Sequence, residues 1–130
     1  MRIQVQDFMS SPVTKVVGKK SVREVRQIMR DKNIHAVPII QYLKKLPEVE
    51  VKIRGIVTNN DLSVNIDEAT NVEDVMTPNV HIIHKHSSAQ SAAKMMIKHN
   101  VHHLVVMDDG KIVGMISSLD FVKIVAGNLG

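Results

Sequence analysis

Cysteine is absent from the 130 residues, which removes disulfides, thiolate nucleophiles and thiolate metal ligands, and with them any clue to redox compartment. Aromatics are only 2% of the chain: Phe8, Tyr42 and Phe121. The core must therefore be aliphatic, with Met as filler. The same scarcity argues against single-stranded nucleic acid, which is held by aromatic stacking platforms. No apolar run approaches the ~18 residues of a membrane span. The start, Met1 to Asp7, lacks the apolar stretch of a signal peptide, so the expected location is the cytoplasm. A glycine-rich phosphate loop and paired carboxylates at a workable spacing are also missing, so no enzyme activity is expected. Net charge is +4, which mildly favours anionic partners and is too small to imply nucleic acid.

What is present is present twice. Ser21-Val22-Arg23-Glu24-Val25-Arg26-Gln27-Ile28-Met29 is echoed by Ser88-Ala89-Gln90-Ser91-Ala92-Ala93-Lys94-Met95-Met96. Asn33 to Ile40 is echoed by Asn100 to Met107, and Gly55 to Leu62 by Gly114 to Phe121. An internal repeat of this kind defines the building block of the fold. The boundaries read as 1–66 for the first unit, 67–71 for a linker and 72–130 for the second. A unit of about 60 residues buries too little surface to be comfortable alone, so the two are expected to share a core.

Each unit opens on a short approach, Val5 to Pro12 or Val72 to Pro78. A β-branched strand follows, Val13 to Val17 or Val80 to Ile83. Next comes a helix. Ser21 with Glu24 forms a capping box, Ser87 or Ser88 caps the second copy, and Asn33 or Asn100 suits the left-handed C-cap. Two strands then pair as a hairpin. Asp108-Asp109-Gly110 is a tight turn in the second unit. In the first, a longer excursion runs from Gln41 to Lys52 with a turn at Pro47, and Val49 to Arg54 alternates as a half-exposed strand does. A closing helix is predicted over Asp61 to about Ile66 in the first unit and through Ala126 in the second.

In order and in duplicate, these segments resemble a tandem pair of CBS domains, also called a Bateman module. The carriers are Asp7-Phe8-Met9-Ser10 with Asp74-Val75-Met76-Thr77-Pro78, the segments Ile34 to Ile40 and Val101 to Met107, and above all Gly55-Ile56-Val57-Thr58-Asn59-Asn60-Asp61 with Gly114-Met115-Ile116-Ser117-Ser118-Leu119-Asp120. The resemblance implies an α+β fold of two β-α-β-β-α units, packed sheet to sheet about a pseudo-twofold axis. It also implies clefts for adenosine compounds (AMP, ADP, ATP or, less so, S-adenosylmethionine) and a homodimer. The role it implies is regulatory, as in energy sensing, with an effector protein still to be identified and no cofactor required.

Thr58-x-x-Asp61 and Ser117-x-x-Asp120 read first as helix starts, the hydroxyl capping and the acid completing the box. The same groups can bind: a hydroxyl at a helix start meets a phosphate oxygen, and the family's Asp accepts the two hydroxyls of a ribose. Asn60 fits the polar residue that relatives carry before the Asp, whereas Leu119 departs from it. By resemblance, backbone near Ile34 and Ala36, or Val101 and His103, faces the base. Val13 and Val80 supply aliphatic walls, and each cleft draws its base contacts from one unit and its hydroxyl and Asp from the other. His103 is bulky where relatives carry a small residue such as Ala36. Six of the seven histidines lie in the second unit, but His81-x-x-His84-x-His86 comes without Cys or a spaced acid, so no metal site is expected. Lys19, Lys20, Arg23, Arg26 and Arg30 make a basic stripe that reads as a solvated face, or else as a contact for phosphate tails or an acidic partner. The alternative function is a structural dimerisation module with degenerate, non-binding clefts.

Overall fold

A computed structural model describes every residue except Met1, Leu46, Val64 and 128–130. The class is α+β: two three-stranded sheets with their helices, each sheet built the same way. In the first half, β1 (Val16–Val17) pairs in parallel with β2 (Ala36–Lys45), which pairs antiparallel with β3 (Glu48–Thr58). Helix α1 (Val22–Lys32) joins β1 to β2. In the second half, β4 (Ile82–His84), α2 (Ala89–His99), β5 (His103–Asp108) and β6 (Lys111–Ser117) repeat the plan, and α3 (Ser118–Val125) closes it. Even the irregularities recur, with bulges at Ile39/Ile40 and Val106/Met107. No helix among the described residues is long and apolar enough to cross a membrane.

The punctuation of the helices follows from local chemistry. Ser21 accepts from the Glu24 amide at 3.1 Å while the Glu24 carboxylate reaches back to the Ser21 amide, so two end-of-helix donors are satisfied together. Ser88, rather than Ser87, caps α2. Asn33 and Asn100 both sit in the left-handed region, at φ 51° and 52°, where Asn is tolerated. Asp109 and Gly110, both at positive φ, form the two-residue turn between β5 and β6.

Three expectations are corrected. The first strands are shorter than Val13 to Val17 and Val80 to Ile83, because β1 is strand only where it pairs Ile39 and Ile40, and β4 begins at Ile82. The Gln41 to Lys52 excursion is a continuous extension of both hairpin arms, with Tyr42 opposite Val51 and Lys44 opposite Val49. The helix predicted over Asp61 to Ile66 is a single turn at Asn59 to Leu62; Val64, within that span, lies outside the described residues. Side-chain donors engage the carbonyls of this turn. The Ser63 hydroxyl donates to the Asn60 carbonyl at 2.7 Å, and the Arg26 guanidinium donates to the Leu62 carbonyl.

The compact bodies do not follow the repeat. One comprises Thr14–Val80, the other Met1–Val13 with His81–Gly130. The approach to each copy therefore packs into the body of the other. Val72 is fully buried with Val16, Val22, Val25, Val37 and Val57. Val5 is fully buried with Ile83, Ala92, Leu104, Val106 and Ile116. The bonds match: Val72 N donates to Lys20 O and Val5 N to Ser87 O, each at 2.8 Å, while Thr77 exchanges bonds with Ile56 and Ser10 with Met115. Gly55 and Gly114 stand where those approaches land. A Cβ on Gly55 would lie 2.7 Å from both Met76 Sδ and the Thr77 carbonyl oxygen, and one on Gly114 would strike Met9.

Candidate functional site

In the first body β3 ends at Thr58 and the chain turns at once. The Thr58 amide donates to Asp61 Oδ2 at 2.8 Å and the Thr58 hydroxyl donates to the same oxygen at 3.1 Å. The Asp61 amide returns a bond to Thr58 Oγ1 at 3.3 Å. Leu62, buried in the core, pins the turn from below, and Arg26, ion-paired with Glu68 at 2.9 Å, braces it from α1. Thr58 and Asp61 stay half-exposed and Asn60 is exposed.

The second body reproduces the arrangement at the start of α3. The Ser117 amide donates to Asp120 Oδ2 at 2.8 Å and its hydroxyl to the same oxygen at 3.3 Å. In both copies the recorded bonds fall on one carboxylate oxygen, and among the described residues Oδ1 accepts none. Capping therefore uses half of each carboxylate. The hydroxyl proton is engaged, so a ligand phosphate drawing on it must take it from the Asp. Where the first copy has Asn60, the second has Leu119, 56% exposed.

Register brings the strand starts to these turns. Ala36 lies opposite Thr58 and His103 opposite Ser117. The Asn59 amide donates to the His35 carbonyl at 3.0 Å, and the Ser118 amide to the His102 carbonyl at 2.9 Å. Ile34, Ala36, Val101 and His103 are half-buried, as are Val13 and Val80. Ala36 and Ile34 thus share a body with Thr58, Asn60, Asp61 and Val80, and Val101 and His103 share one with Ser117, Asp120 and Val13.

The histidines form local contacts. His81 and His99 stack with centroids 4.1 Å apart and an interplanar angle of 18°, and His84 and His86 lie tilted at 5.1 Å. Asp108 is held below the usual carboxylate range, first by its hydrogen bond from Lys85, at 2.9 Å, and then by the Lys85, His84 and His86 charges. Among the described residues no three His, Cys, Asp or Glu side chains gather as a metal site. Most of the basic stripe is surface ion pairing: Lys19 with Glu73, Lys20 with Glu24, Arg26 with Glu68.

Arg30, read from the sequence as part of the basic stripe, differs in its surroundings, which sequence reasoning did not foresee. With Arg26, Met29, Asn33, Ile34, His35, Asn59 and Leu62 it lines an open cleft of about 360 Å³ on the first body. The only available signal was the spacing of Arg26 and Arg30 one helical turn apart, which also fits a solvated face.

The CBS domain model matches the chain twice, over residues 5–68 and 72–127. An uncharacterized protein, MJ1232, of Methanocaldococcus jannaschii is 32% identical over 127 residues, which is 96% of this chain and 40% of that protein. Inosine-5'-monophosphate dehydrogenase of Korarchaeum cryptofilum is 28% identical over 118 residues, 90% of this chain and 23% of the enzyme. The chain thus spans less than half the length of either relative. Among solved structures, the CBS domain pair of protein MJ0100, in complex with 5'-methylthioadenosine and S-adenosyl-L-methionine, is similar with a TM-score of 0.82 at 26% identity, covering 98% of this chain and 99% of that one.

Proposed function

The chain belongs to the CBS domain family, and on that premise we propose that it is a regulatory module that binds an adenosine-containing ligand and passes the bound state to a partner chain or a second copy. The observation that carries this reading is the duplicated grip: a Thr or Ser hydroxyl and an Asp carboxylate, fixed by the same bonds at the end of the same strand in both copies. Each carboxylate is oriented through Oδ2, which leaves Oδ1 for the two ribose hydroxyls. Charge-assisted hydrogen bonds of this kind are the strong ones. The backbone at Ile34 to Ala36 and Val101 to His103 meets the base, and Val13 and Val80 wall it. That a solved relative holds two adenosine compounds supports the ligand class. AMP, ADP and ATP are the first candidates and S-adenosylmethionine the next. The turn with Asn60 binds more tightly than the one with Leu119. The role is binding and signalling rather than turnover, and the switch delivers no more than the ligand's differential affinity for two states.

A second reading has one observation in its favour. Ile97, Leu119, Val122 and Val125 on α2 and α3 are 81%, 56%, 60% and 89% exposed, an apolar set suited to a homodimer that acts by assembly alone. Thermal shift and calorimetry against AMP, ADP, ATP, S-adenosylmethionine and 5'-methylthioadenosine separate the two. A sensor gains melting temperature by mass action, and Asp61→Asn with Asp120→Asn removes the gain. No response to any compound at millimolar concentration, together with a dimer in sedimentation, selects assembly instead.

A further inference from the structure

The cleft beside the C-terminal end of α1 has a strongly basic lining. Its walls carry two guanidinium groups, one imidazole and two carboxamides, and no carboxylate; its apolar part is Met29, Ile34 and Leu62. At the matching positions of the repeat, Arg26 becomes Ala93, Arg30 becomes Ile97, Asn59 becomes Ser118 and Leu62 becomes Phe121. There α3 continues as a helix packed on α2. In the first copy the chain after β3 makes a single turn at Asn59 to Leu62. The two copies agree in caps, bulges and glycines and also at Met29, Asn33 and His35, matched by Met96, Asn100 and His102; they diverge at Arg26, Arg30, Asn59 and Leu62.

The cations have distinct duties. Arg26 is committed, one arm to Glu68 and another to the Leu62 carbonyl, and so shapes the wall. Arg30 is exposed, and its side chain has no hydrogen-bond or ion-pair partner among the described residues. The nearest acid in sequence, Asp31, receives the Gln27 side chain at 2.7 Å. The Asn59 carboxamide nitrogen lies 2.6 Å from His35 Nδ1; with that nitrogen accepting, the neutral ring carries its proton on Nε2 and is a donor. Arg30 adds a planar fork of donors matched to oxyanions.

We propose that this cleft is a separate binding site for a small organic anion, its phosphate or carboxylate head on Arg30 and His35 and its apolar body against Met29, Ile34 and Leu62. The site lies wholly within Thr14–Val80; its lining shares Ile34 with the strand start assigned to the base but includes neither Thr58 nor Asp61. Its volume suits a ligand of one ring and one charged group, at the small end of the range for ligand sites.

The test titrates the full chain with phenyl phosphate and, separately, benzoate, followed by amide chemical shifts. Saturable binding of either probe is expected, with shifts concentrated at Arg30, Asn33, Ile34, His35, Asn59 and Leu62. Phenyl phosphate alone binding assigns a phosphate ester, benzoate alone a carboxylate, and both a general oxyanion head. Arg30→Ile, which installs the residue of the other copy at an exposed position, weakens binding at least tenfold. Arg30→Lys weakens it less, and Arg23→Ala on the same helix leaves it unchanged. Shifts scattered over Lys19, Lys20 and Arg23, equal affinity in Arg30→Ile, or no saturable binding of either probe would overturn the site. Displacement of the probe by AMP would make the cleft part of the nucleotide grip and overturn its independence. Retained probe binding in Asp61→Asn, together with AMP failing to compete, supports it.

Discussion

Among single residues, the stacked His81 and His99 rings give the plainest acid–base consequence. His99 is held below its ordinary value of 6.5, first because the adjoining ring partly shields it from water, then because the charges of His81 and Lys98 oppose its own. The sign follows from which state binds the proton more readily. The unfolded chain protonates this imidazole at the ordinary pKa, while the folded chain resists until lower pH. Above both values the group is neutral in either state and contributes nothing to pH dependence. As pH falls through 6.5 and below, the folded state loses stability. An NMR titration is expected to place His99 below 6.5, and His81→Gln to move it upward by removing both the ring and its charge. An unmoved His99 in that variant would show that the stack plays no part.

At the scale of elements, the approach segments dock on the third strand of each sheet, and the glycines are the contact points. Gly55→Ala must push Met76 Sδ and the Thr77 carbonyl, and the carbonyl is held by reciprocal 2.9 Å bonds with Ile56. Overpacking of this kind costs about 1–3 kcal/mol. Gly114→Ala presses chiefly on the Met9 side chain, which can change rotamer, so it costs less. Urea denaturation of the two variants is expected to rank them in that order, and equal costs would contradict the role given to Thr77.

Much of this level was legible in the sequence. Ser21 with Glu24, Asn33, Asn100 and the Asp109-Gly110 turn act through residues three or four apart, so local chemistry suffices to place them. The Thr58–Asp61 and Ser117–Asp120 bonds are legible for the same reason. The closing turn of the first copy was not, since its Leu62 carbonyl is engaged by Arg26, 36 residues away in the chain. The Arg30 cleft was hidden likewise, since it exists only once α1, the start of β2 and the turn after β3 converge.

For the molecule as a whole, the governing fact is that each compact body borrows its opening segment from the other copy. Deleting residues 2–12 removes Val5 from its buried site, Phe8 from its edge-on contact with Phe121 at 5.2 Å, and Met9 from the face of Gly114. Each fully buried aliphatic side chain contributes roughly 1.5–3 kcal/mol. Amide exchange is therefore expected to accelerate in β4, β5, β6 and α2, while β2, β3 and α1 keep their protection. Uniform acceleration, or none, would refute that division.

The same exchange sets an order of events during translation. Thr14–Val80 is contiguous and holds all of its own core, so it can finish folding while the remainder is still being made. Val5 leaves the ribosome well before its neighbours Leu104, Val106 and Ile116. Until then the segment around Val5 has no home, and a nascent-chain pulse-labelling trace of it should stay open until β6 has cleared the exit tunnel.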